Sequence, residues 1–206
     1  MKSAIVLFNR DLRVHDHPAL AEAHRVAEAV VPLFVLDDAI LASPFSTPNK
    51  ARFLLESLTH LRLALRHRGA DLVLRRGDPV AETVTLARQV GAGSVLASGD
   101  VSAYAAARQA RLGTACEEHR LNFTILPGAT VVEPGTLKPS GADHYRVFTP
   151  FWQAWQQASW RPVAPTPRSL RLPEGLDPGR IPETGELVKG PPSPELAPGG
   201  EGAARD

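Results

Sequence analysis

Residues Ser3 to Leu20 read SAIVLFNRDLRVHDHPAL. The first part, Ala4 to Phe8, is an unbroken apolar run. A strand with one face in water would alternate apolar and polar residues, so the run predicts a strand buried on both faces. Charge follows abruptly: Arg10, Asp11, Arg13, His15, Asp16 and His17 crowd the connection before Pro18. Proline is tolerated in the first turn of a helix, and an apolar-periodic segment runs from Ala19 to Val30, with Asp16 the expected N-cap. The unit is a strand, a charged loop and a helix. Ligands of open parallel sheets gather at the carboxyl ends of strands, which makes this loop the first place to look for a site.

The same alternation continues outward. Val30 to Leu36 (VVPLFVL) predicts a second buried strand, ended by Asp37 and Asp38. Asn49 is an expected N-cap for a helix whose face is Leu54, Leu58, Leu61 and Leu65, with Gly69 after it. Asp71 to Leu74 is a third strand, Gly77-Asp78-Pro79 a turn, and Val80, Val84, Ala87 and Val90 mark a further helix. Gly91 and Gly93 stop that helix before a fourth strand, Ser94 to Ala97; helix-prone Tyr104 to His119 and a fifth strand, Phe123 to Leu126, complete the series. Strands alternating with helices predict an α/β fold: a Rossmann-like parallel five-stranded sheet with helices on both faces. Order 3-2-1-4-5 would set the loops Asn9 to Asp16 and Ser98 to Ser102 against one another.

Residues 1–131 are therefore expected to form the α/β domain. Residues 132–161 hold turns and an amphipathic helix in which Phe151, Trp152, Trp155 and Ala158 share a face that packs on the sheet or on a neighbouring domain. Residues 162–206 contain ten prolines and seven glycines, a composition poor in helix and sheet, and read as a linker or tail.

Composition narrows the function classes. A 43% apolar content supports a core, and a net charge of +1 with scattered Lys and Arg gives no electrostatic footprint for tight nucleic-acid binding by this chain alone. The single cysteine, Cys116, cannot form an internal disulfide, and no signal-peptide pattern or membrane-length apolar stretch is present, so a cytoplasmic location is expected. Asn9 to Pro18 contains no glycine, which argues against a dinucleotide fingerprint or phosphate loop and for recognition by side chains. His15-Asp16-His17 resembles a metal cluster, but adjacent turn residues seldom converge on one ion, and no metal site or catalytic residue is assigned. Arg10, Arg52 and Asp100 remain as candidates where strand and helix ends should gather.

Taken together, the motifs resemble the photolyase/cryptochrome family. Phe8 to Leu20 is similar to the family's "RRDLRxxDNPAL" opening, with Asn9 in place of Arg and His17 in place of Asn. Phe34-Val35-Leu36-Asp37, Gly77-Asp78-Pro79 and Tyr145-Arg146-Val147-Phe148-Thr149-Pro150-Phe151 follow in the family's order. Gly199-Gly200-Glu201 with Ala203-Ala204 is similar to its "GGExxA" entry into a carboxy-terminal helical domain. The resemblance implies that this missing domain carries FAD, contacts damaged DNA and is the partner of this half. It also implies that this half holds a light-harvesting chromophore: 8-hydroxy-5-deazaflavin, methenyltetrahydrofolate or a flavin nucleotide such as FMN. Members that use deazaflavin resemble this chain at Arg10, Phe34, Arg52 and Asp100, which are the implied cofactor-binding residues. The expected protein is the antenna half of a deoxyribodipyrimidine photolyase, with a cryptochrome or stand-alone chromophore module as the alternative.

Overall fold

The structure, a computed structural model, describes residues 2–128 and 130–205; the predicted outer bounds, Met1 and Asp206, lie outside the described residues. The strands are β1 (Ser3–Phe8), β2 (Ala29–Asp37), β3 (Val73–Gly77), β4 (Ala92–Ser98) and β5 (Asn122–Leu126). The helices are α1 (Pro18–Val26), α2 (Asp38–Leu41), α3 (Pro48–Arg66), α4 (Pro79–Gln89), α5 (Ala103–Glu118), α6 (Phe148–Gln157) and α7 (Thr184–Leu187).

Every residue of β1 is buried, and its alternate side chains feed two separate cores. Ala4, Val6 and Phe8 pack with Leu20 of α1 and Leu58 and Leu65 of α3, whereas Ile5 and Leu7 pack with Leu86 of α4 and Leu112 of α5. That division is the physical reason for the unbroken apolar run: a strand covered on both sides has no polar face. The sheet is parallel throughout in the order β3-β2-β1-β4-β5, as the sequence predicts for a Rossmann-like fold.

Several predicted boundaries move for local reasons. α1 stops at Val26, because Ala29 and Val30 already belong to β2. Its N-cap is His17, not Asp16: the His17 ring accepts a hydrogen bond from the Leu20 amide, while Asp16 adopts a left-handed φ of 47° and turns away. The cap of α3 is Thr47 rather than Asn49, with Pro48 in the first turn. The third strand begins at Val73 rather than Asp71, and Gly93 lies inside β4, leaving the positive φ of Gly91 to turn the chain out of α4.

The Pro/Gly-rich segment forms one short helix, α7, and otherwise runs as irregular chain along the β2–β3 side. Backbone amides of Val30, Leu74 and Leu170 donate to the carbonyls of Arg171, Pro178 and Arg68, respectively. Leu170 is buried in the core shared by α1 and α3. This path accounts for Pro32 within β2. Pairing with β3 begins only at Leu33, and the Val30 amide on that same edge faces the tail, so the missing N–H at Pro32 falls where β3 offers no partner. No helix among the described residues is long and apolar enough to cross a membrane.

Candidate functional site

Parallel order places the carboxyl ends of β1, β2 and β4 side by side; the chain leaves β1 and β4 in loops and β2 directly into α2. A cavity of about 270 Å³ opens there, walled by Arg10, Phe34 and Leu54 on one part and Asp100, Tyr104 and Arg108 on another. It lies just below the range typical of small-molecule sites, about 300–1,000 Å³. A second cavity, about 340 Å³, lies beyond Arg10 and Asp100 and reaches Ser98, Leu126 and Pro134.

Arg10 and Asp100 meet across this edge, with Nη1 3.4 Å from Oδ2. The contact is loose and unequal: the Arg10 side chain is 76% exposed and that of Asp100 only 12%. Burial by itself would raise the Asp100 pKa. The Ser102 amide and the Arg10 guanidinium outweigh it and hold the carboxyl below its ordinary value. Asp100 is therefore an ionised acceptor, and Arg10 a cation with donors to spare. Phe34, the residue paired with Phe8 across β1 and β2, supplies an apolar wall.

The remaining charges of the first loop are consumed in holding it. Asp11 is buried and accepts a hydrogen bond from the Asn9 amide, and His17 Nε2 lies 2.8 Å from its Oδ2. Because His17 Nδ1 accepts the Leu20 amide, the ring proton belongs on Nε2, facing Asp11. Burial pushes the Asp11 carboxyl up, but hydrogen bonding and charge from His17, with further hydrogen bonds, bring it well below the usual carboxylate range. His17 thus caps the helix with one ring nitrogen and faces Asp11 with the other. His15 turns the other way, to Glu201 Oε1 at 2.7 Å, so the two histidines do not converge. Asp16 takes both Arg161 amino groups at 2.6 and 2.7 Å; this outweighs its partial burial and lowers its pKa to about 2.

Of the four residues implied as chromophore contacts, Arg10, Phe34 and Asp100 line one cavity and Arg52 does not. Arg52 points along α3 to Glu56, with Nε 2.8 Å from Oε1, and faces a shallow depression toward Ile181 and Glu183. Spacing along a helix could not reveal this, because Leu54, two residues on, faces the cavity instead. Sequence reasoning missed Asp37, Tyr104 and Arg108. The available signal was topological: Asp37 ends the strand beside β1, and Tyr104 opens the helix after β4.

On the β5 side the chain leaves apolar surface uncovered. α6 buries none of its residues, and Phe148, Phe151, Trp152 and Trp160 are exposed. Trp155 and Trp160 lie 5.2 Å apart between ring centroids.

The family model described as DNA photolyase matches residues 4–170. A deoxyribodipyrimidine photo-lyase of Streptomyces griseus is 40% identical over 100% of this chain and 45% of its own length. Cryptochrome DASH of Natronomonas pharaonis is 32% identical over 100% of this chain and 46% of its own length. The crystal structure of a class III photolyase from Agrobacterium tumefaciens superposes with a TM-score of 0.81 at 25% identity, covering 95% of this chain and 40% of that one. The chain thus spans under half the length of these relatives, and the part it matches is the α/β half built around β1. On the strength of that match and of the switch-point geometry, the chain belongs to the DNA photolyase family.

Proposed function

We propose that this chain is the light-harvesting half of a deoxyribodipyrimidine photolyase and that the cavity between Arg10, Phe34 and Asp100 receives an antenna chromophore, 8-hydroxy-5-deazaflavin. The observation that carries this reading is the convergence of those three side chains at the switch point, with Arg10 largely unspent on protein. A hydroxydeazaflavin absorbs in the blue as its phenolate-like anion, and a guanidinium in a partly dry cavity favours that form. Asp100 accepts from ring N–H or ribityl hydroxyl groups, and Phe34 offers its face to the ring. Arg52, paired with Glu56, lies outside the lining of this cavity.

The proposed partner is a carboxy-terminal helical domain with FAD, such as the family resemblance implies; that domain would split cyclobutane pyrimidine dimers in DNA and would meet the exposed aromatic face of α6. Residues 132–161 would then be a docking segment and 162–206 the connection between domains. The setting is cytoplasmic. Alone, the chain binds chromophore and repairs nothing. A cryptochrome-type photoreceptor is the second reading, favoured by the 32% identity to a cryptochrome along the whole chain.

Mixing the protein separately with deazaflavin, methenyltetrahydrofolate and FMN, then following absorbance and fluorescence after gel filtration, tests the chromophore. Deazaflavin is expected to be retained, and retention of the folate alone would refute the assignment. Light-dependent dimer repair by a longer protein carrying this segment separates photolyase from photoreceptor.

A further inference from the structure

The carboxy-terminal segment is held in two different ways. Residues 162–188 are anchored by apolar side chains: Leu170 is buried in the core shared by α1 and α3, Ile181 and Leu187 pack against that core, and Leu172 and Leu176 pack against the other. Arg62 adds hydrogen bonds to the carbonyls of Pro178 and Gly179. Among the described residues, none from 189 onward joins either core. Polar contacts hold this last stretch instead. Asn49 exchanges two side-chain hydrogen bonds with Ser193, and the Gly199 amide donates to Glu56 Oε2 at 2.9 Å.

The Gly199-Gly200-Glu201 motif ends that path on the loop after β1. A Cβ at Gly199 would strike the Phe53 carbonyl and the Ser57 hydroxyl of α3, and Gly200 takes a φ of 113° with the His60 ring where a Cβ would stand. The two glycines thus let the chain lie against α3 closely enough for Glu201 to reach over. Its Oε2 accepts from the Val14 amide at 3.0 Å, and its Oε1 lies 3.3 Å from the His15 amide and 2.7 Å from His15 Nδ1. Val14 is fully buried, and a buried amide left without an acceptor is costly. The loop that presents Arg10 is therefore completed by a side chain from the far end of the sequence.

We propose that residues 189–205 form a releasable strap, closed by Glu201 on the Val14 and His15 amides, that couples the order of the loop after β1 to the state of the chain's carboxyl end. Polar contacts without core burial put the strap at the low-stability end of the molecule, so it opens locally while residues 162–188 stay in place. The exposed Lys189 and Gly190, the latter at a φ of 103°, mark the hinge. The coupling is reciprocal: whatever draws the turn from Gly200 to Arg205 off α3 frees the loop, and whatever orders the loop tightens the strap. It holds for any ligand the cavity takes.

Native-state hydrogen exchange and limited trypsin digestion of the whole chain test the strap. In the unaltered protein, the Val14 and His15 amides are expected to exchange faster than those of Ile5 and Val6 in β1 and with little dependence on urea, the mark of local opening. Glu201→Ala should speed both their exchange and cleavage after Lys189 by about tenfold or more. Gly200→Ala, which keeps the carboxylate but not its approach, should do the same, and Glu201→Gln, which keeps one acceptor oxygen, should retain part of the protection. Glu195→Gln, on an exposed stretch of the strap, should change neither. Val14 and His15 amides that exchange only with Ile5 and Val6, at the same rate and urea dependence, overturn the proposal, because the segment is then integral to the fold. Faster cleavage with unaltered exchange at Val14 and His15 overturns the coupling, and a Glu201→Ala protein unaltered in both overturns the closure by Glu201.

Discussion

The loop after β1 has two flanks that differ in how their charges are used. On the α1 flank, Asp11, Asp16 and His15 are bonded to His17, Arg161 and Glu201, and His17 also caps the helix. On the cavity flank, Arg10 is 76% exposed and touches Asp100 at a loose 3.4 Å. One flank is closed by the protein's own groups. The other retains bonding capacity aimed at solvent, which is the condition for recognising something else. The lesson is that charge density in a loop does not locate a site; unspent charge does.

The comparison can be broken most sharply at His17. Replacing it with Ala leaves the Asp11 carboxylate buried without its main donor and the helix without its cap, and should cost about 3–5 kcal/mol in urea unfolding. His17→Asn, which keeps an acceptor and a donor, should cost much less. A loss below about 1 kcal/mol for the alanine variant would show that the α1 flank is not held as described. On the other flank the effects should fall on binding. Arg10→Gln should change stability by no more than about 0.5 kcal/mol, as for an exposed pair, while weakening deazaflavin binding about tenfold. Substantial destabilisation by Arg10→Gln would erase the distinction between the flanks.

A smaller effect is expected at Asp16. Its pKa is lowered to about 2, so the folded state binds this proton less readily than the unfolded chain does. The stabilisation is therefore complete above the ordinary aspartate pKa of about 4 and lost as pH falls from there through about 2. Asp16→Asn should lower stability by about 1 kcal/mol at pH 7, and the gap from the unaltered protein should close across that acid window. A gap that widened with acid would contradict the linkage. The smallest effect belongs to Trp152, 44% exposed on a helix with no buried residue; Trp152→Ala should change stability by less than about 0.5 kcal/mol.

Much of the fold was legible because burial on both faces writes itself into β1 and β2 as continuous apolar runs, and because parallel strands need crossovers that show as helical periodicity. Capping was less legible. Asp16 and Asn49 are good caps by residue type, yet the chain uses His17 and Thr47, since the proline that follows each fixes where the first turn begins. The tail's composition told of irregular chain but not of its path, which depends on amides left free at the edges of β2 and β3. In the site, Arg10, Phe34 and Asp100 could be placed together because strand ends and topology fix them. Arg52 could not, because a helix position says little about which way a long side chain reaches. Arg108 carried no motif at all, and only the fold brings it to the cavity.

The central claim is that the cavity at the carboxyl edge of β1, β2 and β4 binds a chromophore as its anion. Titrating the absorbance of 8-hydroxy-5-deazaflavin free and bound to this chain tests it most directly. The account predicts a lower hydroxyl pKa in the bound state; an unshifted or raised value would contradict it.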